Sequence, residues 1–140
     1  MKTTLLMLLV LGLLPLGLNA QTLTKKEAVQ ANVKSVSEWE TNVADKKAKP
    51  MLETKCTYDK AGNLLEIIEY DNSGFVTLHE SYEYNAEGLK TVEIQYEPNG
   101  SVKKKHVYKY TGNLRTERMT YDKKGTLIGQ KKYEYEFHGK

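Results

Sequence analysis

Tyr58-Asp59-Lys60-Ala61-Gly62 decides the fold, because the chain keeps returning to it. It reappears as Tyr70-Asp71-Asn72-Ser73-Gly74, Tyr84-Asn85-Ala86-Glu87-Gly88, Tyr96-Glu97-Pro98-Asn99-Gly100 and Tyr121-Asp122-Lys123-Lys124-Gly125, with a clipped copy at Tyr110-Thr111-Gly112. Asp, Asn or Glu opens each full copy, where a short acceptor can bond backbone N–H groups two residues on. Gly closes it, at a position that requires φ > 0. Each copy therefore reads as a hairpin turn. The turn-forming residues are Asp59 and Gly62, Asp71 and Gly74, Asn85 and Gly88, Gly100, Gly112, and Asp122 and Gly125.

Outward from the turns, the tyrosines at 58, 70, 84, 96, 110, 121 and 135 mark a unit of two strands, about 26 residues long. Tyr82, Tyr108 and Tyr133 each stand two residues ahead of a repeat tyrosine, and Cys56 fills that slot before Tyr58. Strands are expected at 50–58, 63–71, 75–84, 89–97, 101–110, 113–121 and 126–137. Residues 32–43 fit a helix or a strand, and their β-branched content favours an eighth strand. Strict alternation along each strand, counted from the repeat tyrosines, puts Cys56, Tyr58, Leu64, Ile68, Tyr70, Val92, Ile94 and Tyr96 on one face. The opposite face is polar. That pattern implies an antiparallel sheet covered on one side. The expected fold is all-β: an up-and-down antiparallel meander of seven or eight strands built from β-hairpin repeats, as an open twisted single sheet. The alternative is a closed small barrel, which eight strands can form.

Upstream, Met1-Lys2 is followed by an almost wholly apolar run to Leu18 and a small residue, Ala20. Residues 1–20 read as a cleaved signal peptide. Residues 21–31 are a flexible or helical segment, in which Thr24 and Glu27 have capping-box spacing. Residues 32–140 form the repeat domain. The expected location is exported: periplasm, cell surface or extracellular space, with no membrane span in the mature chain. Cys56 is the only cysteine, so no internal disulfide is available. The net charge of +3 is too balanced to point to nucleic acid.

The motifs Tyr58-Asp59-Lys60-Ala61-Gly62-Asn63-Leu64 and Tyr121-Asp122-Lys123-Lys124-Gly125-Thr126-Leu127 resemble the tyrosine–aspartate repeats of RHS-type proteins. The paired-strand period, the leader and the small size are closer to the short exported repeat proteins of unknown function found in Bacteroides-type gut bacteria. The resemblance covers residues 50–137 and implies a β-hairpin repeat fold. RHS proteins build shells around toxin domains, and a shell is not expected from so few units.

Catalytic patterns are sparse. No Ser lies in a Gly-x-Ser-x-Gly elbow, and His79, His106 and His138 have no zinc spacing. His79 and His106 fall on opposite faces. Glu66, Glu80 and Glu117, with Lys104, Arg115 and Lys131, interrupt the apolar parity, as cross-strand ion pairs would. The function expected is a non-enzymatic exported interaction module that binds a protein or cell-envelope component, with a homodimer as one partner and with no catalytic residue, metal or cofactor. Its alternative is a carbohydrate-binding module that uses the tyrosine ladder. Trp39, Tyr82, Tyr108 and Tyr133 are the candidate contacts, because aromatic rows present stacking surfaces. The intact mass of the exported chain should correspond to cleavage after Ala20; retention of residues 1–20 would make the apolar run a membrane anchor instead.

Overall fold

The computed structural model describes residues 22–139, and the expected signal peptide lies outside the described residues. Eight strands form one antiparallel sheet in chain order. They are β1 (Ser35–Glu40), β2 (Met51–Tyr58), β3 (Leu64–Tyr70), β4 (Val76–Tyr84), β5 (Lys90–Tyr96), β6 (Val102–Thr111), β7 (Leu114–Asp122) and β8 (Leu127–Lys132). Among the described residues β1 and β8 are free edges that do not pair with each other, so the sheet is an open meander and the barrel alternative is ruled out. Closure would bury one face, and either face carries charges at mid-strand, Glu80 and Lys104 on one and Glu66 and Lys105 on the other. Residues 32–43 contribute β1 and no helix. No helix among the described residues is long and apolar enough to cross a membrane.

One short helix, α1 (Lys25–Gln30), precedes the sheet. The Thr24 hydroxyl accepts from the Glu27 N–H, and the Glu27 carboxylate accepts from the Thr24 N–H at 2.8 Å, closing a capping box. At the other end Asn32 adopts φ 51°, and its N–H and that of Val33 bond the Val29 and Ala28 carbonyls. Those two bonds are a Schellman closure. Six residues cannot hold a helix in water alone. α1 stands because Ala28 is buried against Cys56, Tyr58 and Ile67, with Leu23, Val33, Val36, Leu64 and Leu78 around them. The Tyr58 hydroxyl also accepts from the Leu23 N–H at 2.9 Å. This small core sits on one side of β1–β4, called here the helix face; the other side is the open face.

The turns bond further along the chain than the sequence pattern implies. Asp59, Asp71, Asn85 and Asp122 each accept the N–H four residues on, from Asn63, Phe75, Leu89 and Thr126, at 2.8–3.0 Å. Asp71 and Asp122 also take the N–H two residues on. Where Glu97 opens the turn, Asn99 takes over and accepts from the Ser101 N–H. The closing glycines, Gly62, Gly74, Gly88, Gly100, Gly112 and Gly125, have φ between 54° and 82°.

The single apolar face predicted by strict alternation is not what forms. Each ladder steps its register once, just before a repeat tyrosine or its counterpart in β1. Thr57 pairs with Glu66 while Tyr58 pairs with Leu64, which leaves Leu65 without a partner. Thr77, Thr91, Lys103, Thr116 and Ile128 are skipped in the same way. Such a bulge reverses the parity of the strand that carries it. The repeat tyrosines therefore alternate faces. Tyr58, Tyr84, Tyr110 and Tyr135 share the helix face; Tyr70, Tyr96 and Tyr121 share the open face.

The helix-face tyrosines use their hydroxyls to repair the bulges. Tyr84, Tyr110 and Tyr135 donate to the carbonyls of Leu64, Lys90 and Arg115, at 2.8, 2.7 and 2.7 Å. Each acceptor immediately precedes a skipped residue. The last strand ends at Lys132 rather than 137; beyond it the Tyr133 N–H still bonds the Thr116 carbonyl.

Two glycines separate turn strain from packing. A Cβ on Gly74 meets nothing within 4 Å, so Gly74→Ala should cost about 1 kcal/mol through φ alone. A Cβ on Gly62 would collide with the Lys25 carbonyl and lie 2.7 Å from Val29 Cγ2. Gly62→Ala should cost clearly more and release α1, as read by urea unfolding; equal losses would mean that α1 contributes nothing there.

Candidate functional site

The register brings Tyr82, Tyr108 and Tyr133 onto the helix face, in β4, β6 and the continuation of β8. Tyr82 packs against the small core that α1 closes, and the hydroxyls of Tyr82 and Tyr108 find partners on the sheet itself. The Tyr82 hydroxyl donates to Glu80 at 2.6 Å, and Gln95 donates to the other oxygen of that carboxylate. The Tyr108 hydroxyl donates to Glu93, which also holds Lys90 at 2.9 Å. Lys90 Nζ stands 4.3 Å above the Tyr82 ring, and the Arg115 guanidinium stands 4.3 Å above the Tyr108 ring. Two strands later, the same cation–π contact recurs with a different cation.

Burial and the adjoining carboxylates push the phenols up, Tyr108 to about 12 and Tyr82 higher still. Burial also raises the Glu93 carboxyl, but the Lys90 ammonium, His106 and the Tyr108 hydroxyl outweigh it and hold it below the ordinary value. His106 is held down by burial and by Arg118 and Lys104, against the pull of Glu93, and its Nδ1 lies 2.9 Å from Thr120 Oγ1.

This geometry bears on the stacking expectation. Tyr108 is only 8% exposed, and Tyr82 and Tyr133 are half-buried. One face of each of the first two rings is already taken by a cation. Trp39 lies apart from them, at the edge of the sheet on the open face, opposite Leu52 and 59% exposed. The four candidate contacts do not form one site. The interrupting charges also separate: Glu80, Lys104, Arg115 and Lys131 lie on the helix face, Glu66 and Glu117 on the open face.

The open face carries what parity counting assigned elsewhere. Ile68, Tyr70, Val92, Ile94, Tyr96, Val107, Met119 and Tyr121 line it across β3–β7, and no element among the described residues packs over it. A groove of about 540 Å³ is lined by Val102, Val107 and Tyr121 and by the charged side chains of Lys105, Asp122, Lys123 and Lys124. Beside it, His79 stacks on Tyr96 at 4.3 Å and its Nε2 meets Glu66 at 2.9 Å. Ser81 Oγ bonds the Tyr96 hydroxyl rather than His79, so these groups are not arranged as a nucleophile and its base. A sequence signal for this face exists. The helix-face pairs after Cys56-x-Tyr58 read Tyr-x-Tyr, whereas Ile68-x-Tyr70, Ile94-x-Tyr96 and Met119-x-Tyr121 pair an aliphatic residue or Met with the tyrosine.

In comparison with known proteins, no family model and no curated protein matches this chain.

The raised phenols give a direction to alkaline stability. An unfolded tyrosine ionises near pH 10, whereas folded Tyr108 holds its proton to about 12. The unfolded chain thus releases a proton that the native chain keeps. The contribution is complete below pH about 10 and is lost as pH rises towards 12. Urea midpoints across that range should fall less steeply for Tyr108→Phe than for the unaltered chain; an identical slope would show that Tyr108 does not carry the effect.

Proposed function

We propose that this protein is an exported, non-enzymatic interaction module whose open face docks a protein or cell-envelope component. One observation carries the reading: an apolar and aromatic row that includes Ile68, Ile94, Tyr96, Val107, Met119 and Tyr121 lies on a side of the sheet that no element among the described residues covers. Domains ordinarily bury such a face against a second layer, and uncovered apolar surface of this kind marks interaction sites. The leader-like N-terminus and the resemblance to exported tyrosine–aspartate repeat proteins support export.

The groove on this face defines the partner chemistry. It is lined by Val102, Val107 and Tyr121 together with three lysines, Lys105, Lys123 and Lys124, and one acid, Asp122. The complement is a segment that presents apolar side chains flanked by carboxylates. Apolar burial supplies affinity there, and the lysines set orientation and encounter rate. The carbohydrate reading has less support, because Tyr82 and Tyr108 already hold cations against their rings.

A photoreactive side chain at Val107, on the open face, should give a discrete covalent adduct in cells that export the protein. The same group at Lys104, on the helix face of the same strand, should not. Lys105→Glu with Lys124→Glu should lower the Val107 adduct several-fold. Equal labelling from both positions, or none from Val107, would overturn the reading.

A further inference from the structure

Among the described residues both edges of the sheet lack a neighbour, and their chemistries are complementary. β1 reads SVSEWE, with Glu38 and Glu40 and no base. β8 reads LIGQKK, with Lys131 and Lys132 and no acid. We propose that copies of this chain join end to end, β8 of one copy pairing antiparallel with β1 of the next. The proposal concerns the edges and does not depend on the open-face reading.

The backbone is arranged for it. The Lys34 carbonyl accepts from the Tyr58 N–H, so alternation turns the N–H and C=O groups of Ser35 and Ser37 away from β2. The Tyr133 N–H bonds the Thr116 carbonyl, so the groups of Gln130 and Lys132 likewise point away from β7. These outward rows are unpaired ladder groups on exposed strands, the arrangement that templates strand addition. Because the strands number eight, β8 runs opposite to β1. A copy that continues the sheet therefore meets β8 in antiparallel orientation and keeps the helix face on the same side.

One register fits the side chains. Setting Lys132 opposite Ser37 of the next copy aligns the outward backbone rows. It also places Lys131 opposite Glu38 and Tyr133 opposite Val36, all on the helix face. Gln130 then meets Trp39 on the open face. Pairing two β8 edges brings Lys131 and Lys132 of both copies together, and pairing two β1 edges brings Glu38 and Glu40 together; like charges disfavour both. The joint is thus heterologous, and successive copies extend an open chain rather than close a dimer.

The test uses the exported protein as purified, across micromolar to millimolar concentration at low and high salt, by light scattering and sedimentation velocity. The expected result is a ladder of masses that grows with concentration in single-chain steps and shortens with salt. Lys131→Glu with Lys132→Glu makes both edges acidic, and Glu38→Lys with Glu40→Lys makes both basic; each variant should run as a monomer. Mixing the two should restore assembly. All four positions sit on exposed edge strands, and circular dichroism of each variant checks that the sheet persists. A wild-type chain that stays monomeric at the highest concentration, a dimer that survives in both variants, or a mixture that fails to assemble would each overturn the proposal.

Discussion

Side chains alternate along a strand, so a sheet that inserts one unpaired residue after every turn cannot keep one sequence parity on one side. That constraint governs this molecule. The step at Leu65 takes Tyr70 to the opposite side from Tyr58, and the step at Thr77 brings Tyr84 back. Only alternate repeat tyrosines therefore reach the carbonyls at Leu64, Lys90 and Arg115 that precede the steps. The two-strand period of the sequence is the period of this exchange.

Stability is unevenly placed as a result. α1 closes over Cys56, Tyr58 and Ile67 at one end of the helix face, where most of the buried side chains lie. Further along, Tyr108 is buried by Arg115 and the Glu93 network rather than by a helix. Each strand packs chiefly on its sequence neighbours, so the sheet is close to a one-dimensional array. Its helix-capped end supplies most of the tertiary burial.

The turns, the strands and the capping box were legible because they depend on particular residue types. A left-handed turn position selects Gly, an Asx-type bond selects Asp59 or Asn85, and a capping box needs Thr24 and Glu27 at fixed spacing. The bulge has no such requirement. Thr77, Thr91 and Thr116 occupy it, but so do Leu65, Lys103 and Ile128, because the skipped residue only has to tolerate being unpaired. Parity counted through it merged two faces into one, and so Tyr96 and Tyr121 were grouped with Tyr82 and Tyr108. The candidate site moved with them, from the tyrosine ladder to the side where Ile94 and Val107 lie. Closure was not legible either, since it depends on strand tilt and stagger rather than on any residue in the pattern.

The exchange of faces at each hairpin also limits how such a chain can change in length. Removing or duplicating one strand with its turn would invert every side chain downstream, exposing the Tyr108 network on the apolar side and carrying Tyr121 across to the other. Removing or duplicating two restores the original assignment and leaves the rest undisturbed. Gain or loss by recombination is therefore neutral to the architecture only in units of about 26 residues, and the length of a protein built this way is quantised in hairpin pairs.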